Sequence, residues 1–177
     1  MNEIAALLDA IMFAAEKHRM QRRKDADASP YINHPLALAR LLAVDCGIND
    51  LDVLRAAVLH DTVEDTETTI DELSARFGPT VAGIVQEVTD DTALPAHERK
   101  ALQIEHAAHK STSAALVKLA DKTCNLRDLA KAPPQGWPLK RRQDYFDWAR
   151  LVVDGLPAVS PLLRQAFDNA FAARPEA

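Results

Sequence analysis

The chain has 177 residues, 47% of them apolar and 27% charged, with two cysteines and a formal net charge of −5. That length suits one domain that buries roughly 70% of its unfolded surface without staples. The acidic balance excludes a general nucleic-acid binder, and no stretch approaches the ~18 consecutive apolar residues of a membrane helix.

Residues 2–19 carry Ile4, Leu7, Leu8, Ile11, Met12 and Ala15, the stripe of an amphipathic helix. Lys17, His18 and Arg19 close it as cations at the negative end of its dipole. Met1-Asn2-Glu3 lacks the basic start of a secretory leader. The run Gln21-Arg22-Arg23-Lys24-Asp25, the small residues Ala26 to Ser29, and Pro30-Tyr31-Ile32-Asn33-His34-Pro35 read as a loop. Pro35 suits the first turn of a second helix carrying Leu36, Ala39, Leu42 and Ala43, which Gly47 ends. Cys46 here, and Cys124 later, lie in apolar helical contexts, as expected of buried free thiols in the reducing cytoplasm.

Asp50 caps a third helix through Leu51, Leu54 and Val58 that ends near His60-Asp61. Thr69-Ile70-Asp71-Glu72 is a capping box opening a short helix to Phe77. Gly78-Pro79 closes it and opens the next, with Val81, Ile84, Val85 and Val88. After the polar break Thr89-Asp90-Asp91-Thr92, Pro95 starts a helix to about Ala108, whose His97, His106 and His109 read as surface residues. Leu116, Leu119, Ala120, Thr123 and Leu126 define a buried helix. Pro133, Pro134 and Gly136 interrupt the chain before a helix from Leu139 to Gly155. Ser160-Pro161 caps a last one through Leu163, Phe167, Ala170 and Phe171. No segment alternates with the period of a strand, so the expected fold class is all-α. It is a single domain over residues 1–177, a bundle of about nine to ten helices rather than a simple four-helix bundle.

The chemistry concentrates between Val58 and Asp65. His60 offers a neutral imidazole nitrogen and Asp61 offers hard carboxylate oxygens. Adjacent helical residues point about 100° apart, so the two can share an ion only where the helix is distorted or ending. Glu64 lies one turn beyond His60 on the same face. Taken alone, these residues fit a solvated acidic helix end equally well. His34, at a proline-flanked helix start, and Asp121, inside an otherwise apolar helix with Asn125 four residues on, are further candidates. A carboxylate in a buried helical run must be ligated, paired or at an end, so Asp121 serves an ion or pairs with Lys118 or Lys122. Two His and two Asp form a mixed N/O set suited to manganese or iron. The lack of a CxxC pair disfavours a structural zinc site. Arg22-Arg23-Lys24 would ordinarily be a solvated loop; in an acidic chain, about ten residues before His34, it suits phosphate. Trp137 and Tyr145 suit core and pocket equally, while Met12, Met20 and the Phe residues suit packing.

In order, His34, His60-Asp61 and Asp121 resemble the H…HD…D pattern of the HD phosphohydrolase superfamily. The longer motifs resemble one group closely: Arg22-Arg23-Lys24-Asp25, Pro30-Tyr31-Ile32-Asn33-His34-Pro35, Leu59-His60-Asp61-Thr62-Val63-Glu64-Asp65-Thr66, and Val117-Lys118-Leu119-Ala120-Asp121-Lys122 with Asn125-Leu126-Arg127. That group is the alarmone hydrolases, the hydrolase half of the RelA/SpoT family, and above all its small single-domain, metazoan SpoT homologue type. The resemblance runs from about Ala14 to Leu156 and takes in Gly136-Trp137 and Tyr145-Phe146.

The resemblance implies a helical domain that binds one manganese ion (Mn2+). It implies hydrolysis of the 3′-pyrophosphate of guanosine tetra- or pentaphosphate (ppGpp, pppGpp), giving pyrophosphate and GDP or GTP and ending the stringent-response signal. His34, His60, Asp61 and Asp121 are the implied metal ligands. Glu64 and Asp65 are implied to position and deprotonate the attacking water. Arg23 and Lys24 are implied to meet the phosphates and base, with Tyr31, Lys118, Asn125 and Tyr145 lining the nucleotide pocket. Thr123-Cys124 departs from the larger residues common after the Asp-Lys pair, but touches no implied ligand. No synthetase or regulatory domain, nucleic-acid partner or membrane partner is expected, and a homo-oligomer stays open. Two other readings compete: a phosphatase of another nucleotide such as NADPH, and a non-catalytic alarmone-binding module. Intact Glu64 and Asp65 argue against the module.

Overall fold

The structure, a computed structural model, describes residues 2–176. Among these, ten α-helices follow one another: α1 (Glu3–Lys17), α2 (Asn33–Arg40), α3 (Leu51–Leu59), α4 (Thr62–Asp65), α5 (Ile70–Phe77), α6 (Pro79–Val88), α7 (Ala96–Glu105), α8 (Thr112–Lys131), α9 (Leu139–Gly155) and α10 (Pro161–Phe171). The fold is all-α, as the sequence pattern implies.

Short polar residues start the helices for a local reason: their side chains accept from backbone N–H groups that have no partner inside the helix. Asn2, Asp50, Thr69, Ser111 and Ser160 each do so, before α1, α3, α5, α8 and α10. Only half of the capping box at Thr69 forms. Thr69 accepts from the Glu72 N–H at 3.1 Å, but the Glu72 carboxylate pairs with Lys17 instead of turning back. Gly78, at φ +94°, joins α5 directly to α6 through a backbone shape that side chains resist. Beyond Arg40 the second helix widens into a π-helical turn, Leu41–Asp45.

α8 is the axis. Its side chains are buried on all faces, from Ala114 through Cys124 and on to Leu126 and Leu129. It packs against α2, α3, α6, α9 and α10. A helix surrounded in this way needs apolar or small residues around its whole circumference, which Ala114, Ala115, Ala120 and Thr123 help supply. Lys118, Asp121 and Lys122 are the charged exceptions, all buried. The buried apolar residues form one contiguous cluster joining α3, α6 and α8. α7 contributes no buried residue, and lies against α9 and the following 3-10 turn at Ala107–His109. No helix among the described residues is long and apolar enough to cross a membrane.

Two local features aim side chains at the same place. The connection from α1 to α2 folds on itself. Arg22 bridges Pro30, the Arg23 N–H donates to the Ser29 carbonyl at 2.8 Å, and the Tyr31 N–H donates to the Gln21 carbonyl at 3.1 Å. The basic run is therefore held in a tight double-back rather than trailing in water. The second feature is the break between α3 and α4. Asp61 has φ −98° and ψ −1°, off the helical path, and the buried Thr62 hydroxyl donates to the Leu59 carbonyl at 2.7 Å.

Candidate active site

That break lets His60 and Asp61 face one point. The His60 Nδ1–H donates to the Ala57 carbonyl at 2.9 Å, which fixes the tautomer in the neutral ring and leaves Nε2 bare. Nε2 is buried, stands 2.9 Å from Asp61 Oδ2, and has no aligned hydrogen-bond partner. His34, from the first turn of α2, brings its Nε2 to 3.2 Å from Asp121 Oδ1, and the two imidazole centroids are 5.4 Å apart. One donor atom from each of His34, His60 and Asp121 lies within 4.8 Å of the others. α2, α3 and α8 thus converge on one buried cluster, with Asp61 at its edge.

The electrostatics ask for a cation. Burial alone would push His60 down, but the Asp61 and Asp121 carboxylates outweigh it and lift the ring to about 9. Burial opposes charge on Asp121 too, yet Lys122 and His34 hold it well below the usual range; Asn125 Nδ2 donates to it at 2.6 Å. Burial likewise opposes charge on Asp61, and His60 beside it holds that carboxyl low. One buried and one half-buried carboxylate, with two imidazoles of which one has a bare inward nitrogen, form an all-N/O donor set. That chemistry fits a borderline or hard divalent ion, which meets the same demand for positive charge more fully than a proton on His60.

Glu64 and Asp65, one turn on, stand apart from the cluster. Glu64 accepts from the Asp90 N–H at 3.1 Å and pairs with Arg99 at 3.4 Å. Burial raises its carboxyl to about 7; nearby Asp90 and Asp61 charges add to this. Asp65 is exposed and accepts from Gln21 Nε2 at 2.8 Å. The Tyr31 hydroxyl donates to Asp61, and its own ionisation is pushed far above the ordinary range, first by burial and then by that carboxylate.

A cleft of about 600 Å³ opens over this cluster, lined by Arg23, Lys24, Tyr31, Asn125, Trp137 and Tyr145 among others. Arg23 lies 5.7 Å from the Tyr31 ring centroid, pairs with Asp128 at 2.6 Å and reaches Asn125 at 3.5 Å. Burial pushes the Tyr145 phenol up to about 12. A smaller pocket of about 120 Å³ adjoins the cleft and shares Tyr31, His34, Asp61, Glu64 and Asn125 with it. Lys118 lines this inner pocket only. Its ammonium donates to the Val88 carbonyl at 3.0 Å, and burial lowers it to about 8.

An HD-domain family model matches residues 10–147. The chain belongs to the HD-domain family. The human guanosine-3′,5′-bis(diphosphate) 3′-pyrophosphohydrolase MESH1 is 54% identical over 173 residues, covering 98% of this chain and 97% of its own. The Drosophila melanogaster protein of the same name is 48% identical over 170 residues, covering 96% and 95%. A solved structure described as a metazoan ortholog of SpoT that hydrolyzes ppGpp matches 96% of both chains, with a TM-score of 0.93 at 48% identity.

In this HD-domain protein the residues singled out by motif fall in one region. His34, His60, Asp61 and Asp121 cluster; Glu64, Asp65, Arg23, Lys24, Tyr31, Asn125 and Tyr145 line the cleft; Lys118 lies in the adjoining pocket. Asp121 takes its pairing option, with Lys122 Nζ at 3.2 Å, and also stands in the cluster with His34 and His60. Trp137, equally suited to core or pocket, lines the cleft. His18 corrects an expectation: it is 2% exposed, packed against the Tyr31 ring, and burial lowers its pKa, so it is not a helix-closing cation. Gln21, Arg99 and Asp128 were not among the sequence candidates. Asp128 had a faint signal, one turn after Asn125 on a helix face already marked; Arg99, on a polar helix, had none.

Proposed function

We propose that this protein is a cytoplasmic enzyme, one HD-type unit over residues 1–177, that hydrolyses the 3′-pyrophosphate of ppGpp and pppGpp to pyrophosphate and GDP or GTP with a single Mn2+. The observation that carries the reading is the joining of the buried His34, His60, Asp121 donor cluster to Glu64, Asp65 and a cleft that presents Arg23 and Lys24 beside the aromatic rings of Tyr31, Trp137 and Tyr145. It is supported by 54% identity to a protein named for that activity.

His34, His60, Asp61 and Asp121 would hold the ion, which acidifies water and shields phosphorus from charge repulsion. Glu64, raised to about 7 by burial, can take a proton at neutral pH and give it up again. Asp65, one residue on and exposed to the cleft, differs in environment, so the two carboxylates can divide orientation of water from proton transfer. Tyr31 steadies Asp61 through its hydroxyl. Arg23 pairs with Asp128 across the cleft, so phosphate oxygens compete with that carboxylate for the guanidinium fork. A planar guanidinium over Tyr31, next to a flexible Lys24 ammonium, suits a base plane beside a polyphosphate.

The test is phosphorus NMR of products from ppGpp, pppGpp and NADPH supplied with Mn2+. Pyrophosphate and GDP or GTP in equal amounts are expected, and Asp61→Ala should lose both the ion and turnover. Orthophosphate release from the alarmone, or a clear preference for NADPH, would favour a phosphatase of another nucleotide. Stoichiometric metal in Asp61→Ala would remove Asp61 from the ligand set.

A further inference from the structure

We infer that Gln21 is a positioning residue for the proposed hydrolysis, aiming the Asp65 carboxylate, and that His18 fixes the direction in which Gln21 acts. The inference rests on the role proposed for Asp65.

The geometry has a definite polarity. Gln21 Nε2 donates to Asp65 Oδ2 at 2.8 Å, and Gln21 Oε1 lies 2.6 Å from His18 Nδ1. An amide oxygen only accepts, so His18 must carry its proton on Nδ1. That leaves the amide hydrogens for Asp65 and makes His18 Nε2 the bare nitrogen. Nε2 is buried and has no hydrogen-bond partner, which agrees with the bare state. The reverse orientation of the amide would set its carbonyl oxygen against a carboxylate.

Gln21 is also held along its backbone. Its N–H donates to the His18 carbonyl at 2.9 Å, and its carbonyl accepts from the Tyr31 N–H at 3.1 Å. His18 itself is 2% exposed and lies 4.8 Å from the Tyr31 ring, centroid to centroid. The same tyrosine donates to Asp61. The connection between α1 and α2 therefore supports two neighbouring carboxylates: Tyr31 on Asp61 and Gln21 on Asp65. Asp65 is exposed, so without a donor on Oδ2 its side chain would sample several rotamers in water. Fixing Oδ2 leaves Oδ1 in one place at the cleft. Small losses of such placement can cost up to about 10²-fold in rate.

The experiment measures kcat and KM on ppGpp with Mn2+ for Gln21→Leu, Asp65→Ala and the double variant, with metal content and melting temperature alongside. Gln21→Leu should lower kcat by about 10- to 10²-fold, with KM changed less than about twofold and the ion retained. In the Asp65→Ala background the same substitution should cost nothing further. Gln21→Glu keeps the shape but sets a carboxylate against Asp65, and should lose at least as much kcat. His18→Phe keeps the ring against Tyr31 but has no donor, and should fall with Gln21→Leu. His18→Asn returns an N–H near the Nδ1 position and should recover most of that loss. Additive losses in the double variant, a change confined to KM, or full kcat in His18→Phe would overturn the relay while leaving Asp65 in place. Wild-type turnover in Asp65→Ala would instead overturn the role of Asp65 itself.

Discussion

The role proposed for Glu64 sets stability against chemistry. Its folded pKa, about 7, lies above the ordinary 4.5 because burial strips water from the charged form. A raised carboxyl stabilises the fold fully below about 4.5, and that contribution is lost as pH rises through about 7. Glu64→Gln keeps the shape and removes the charge. Allowing for partial solvent access, it should be more stable than the wild type by about 1 kcal/mol at pH 8, with the advantage shrinking toward pH 5. Its kcat should fall on the order of 10²-fold. Melts at the two pH values, with kinetics, check both; a variant less stable at pH 8 would mean that the Asp90 and Arg99 contacts outweigh the burial of charge. At this scale the sequence spoke through residue types in fixed motifs, and those residues meet in the fold. It was silent on Arg99 and Gln21, and gave only a faint signal for Asp128, because each acts on a partner 35, 44 and 105 residues away. Nothing in a local window marks such pairs.

Among the elements, the α3–α4 break matters most to the site. Two adjacent helical residues cannot turn to one point, so a shared ion already required an interruption at His60-Asp61. Its form was not legible: residues 58–66 contain no Gly or Pro, and a four-residue helix follows at once. A side chain makes the break, since the buried Thr62 hydroxyl donates to the Leu59 carbonyl at 2.7 Å. Thr62→Val keeps the volume and leaves that carbonyl unpaired, which should cost about 1–3 kcal/mol and a few degrees in Tm. It should also lower metal affinity, because His60 and Asp61 lose their fixed relation, whereas Thr62→Ser should keep both. Calorimetry and metal titration separate the cases; unchanged metal affinity in a destabilised Thr62→Val would show that the break is held by packing alone. The π-helical turn after α2 and the half-formed capping box at Thr69 were equally hidden, the latter because Glu72 prefers Lys17 from another helix.

For the whole molecule the question is how a chain of net charge −5 receives a nucleotide carrying several negative charges. The basic loop is not sufficient. The cleft is lined by Arg22, Arg23, Lys24 and Lys131, but also by Asp25, Asp61, Glu64, Asp65 and Asp128. Arg23 is already paired with Asp128. Side chains alone leave the cleft close to neutral or slightly acidic, a poor trap for a polyphosphate. The divalent ion proposed for His34, His60, Asp61 and Asp121 would reverse that sign beside the place proposed for the scissile phosphate. Ion and alarmone should therefore bind cooperatively. In the slow Glu64→Gln protein, Mn2+ should tighten ppGpp binding by about 5- to 150-fold, the usual range for coupled sites, and ppGpp should tighten Mn2+ binding by the same factor. The coupling should shrink as salt rises, since part of it acts through the exposed mouth of the cleft. Calorimetric titration of each ligand with and without the other measures the factor directly. Equal ppGpp affinity with and without the ion would mean that the basic loop suffices, and that the acidic lining plays no part in keeping the cleft closed to anions until the metal is in place.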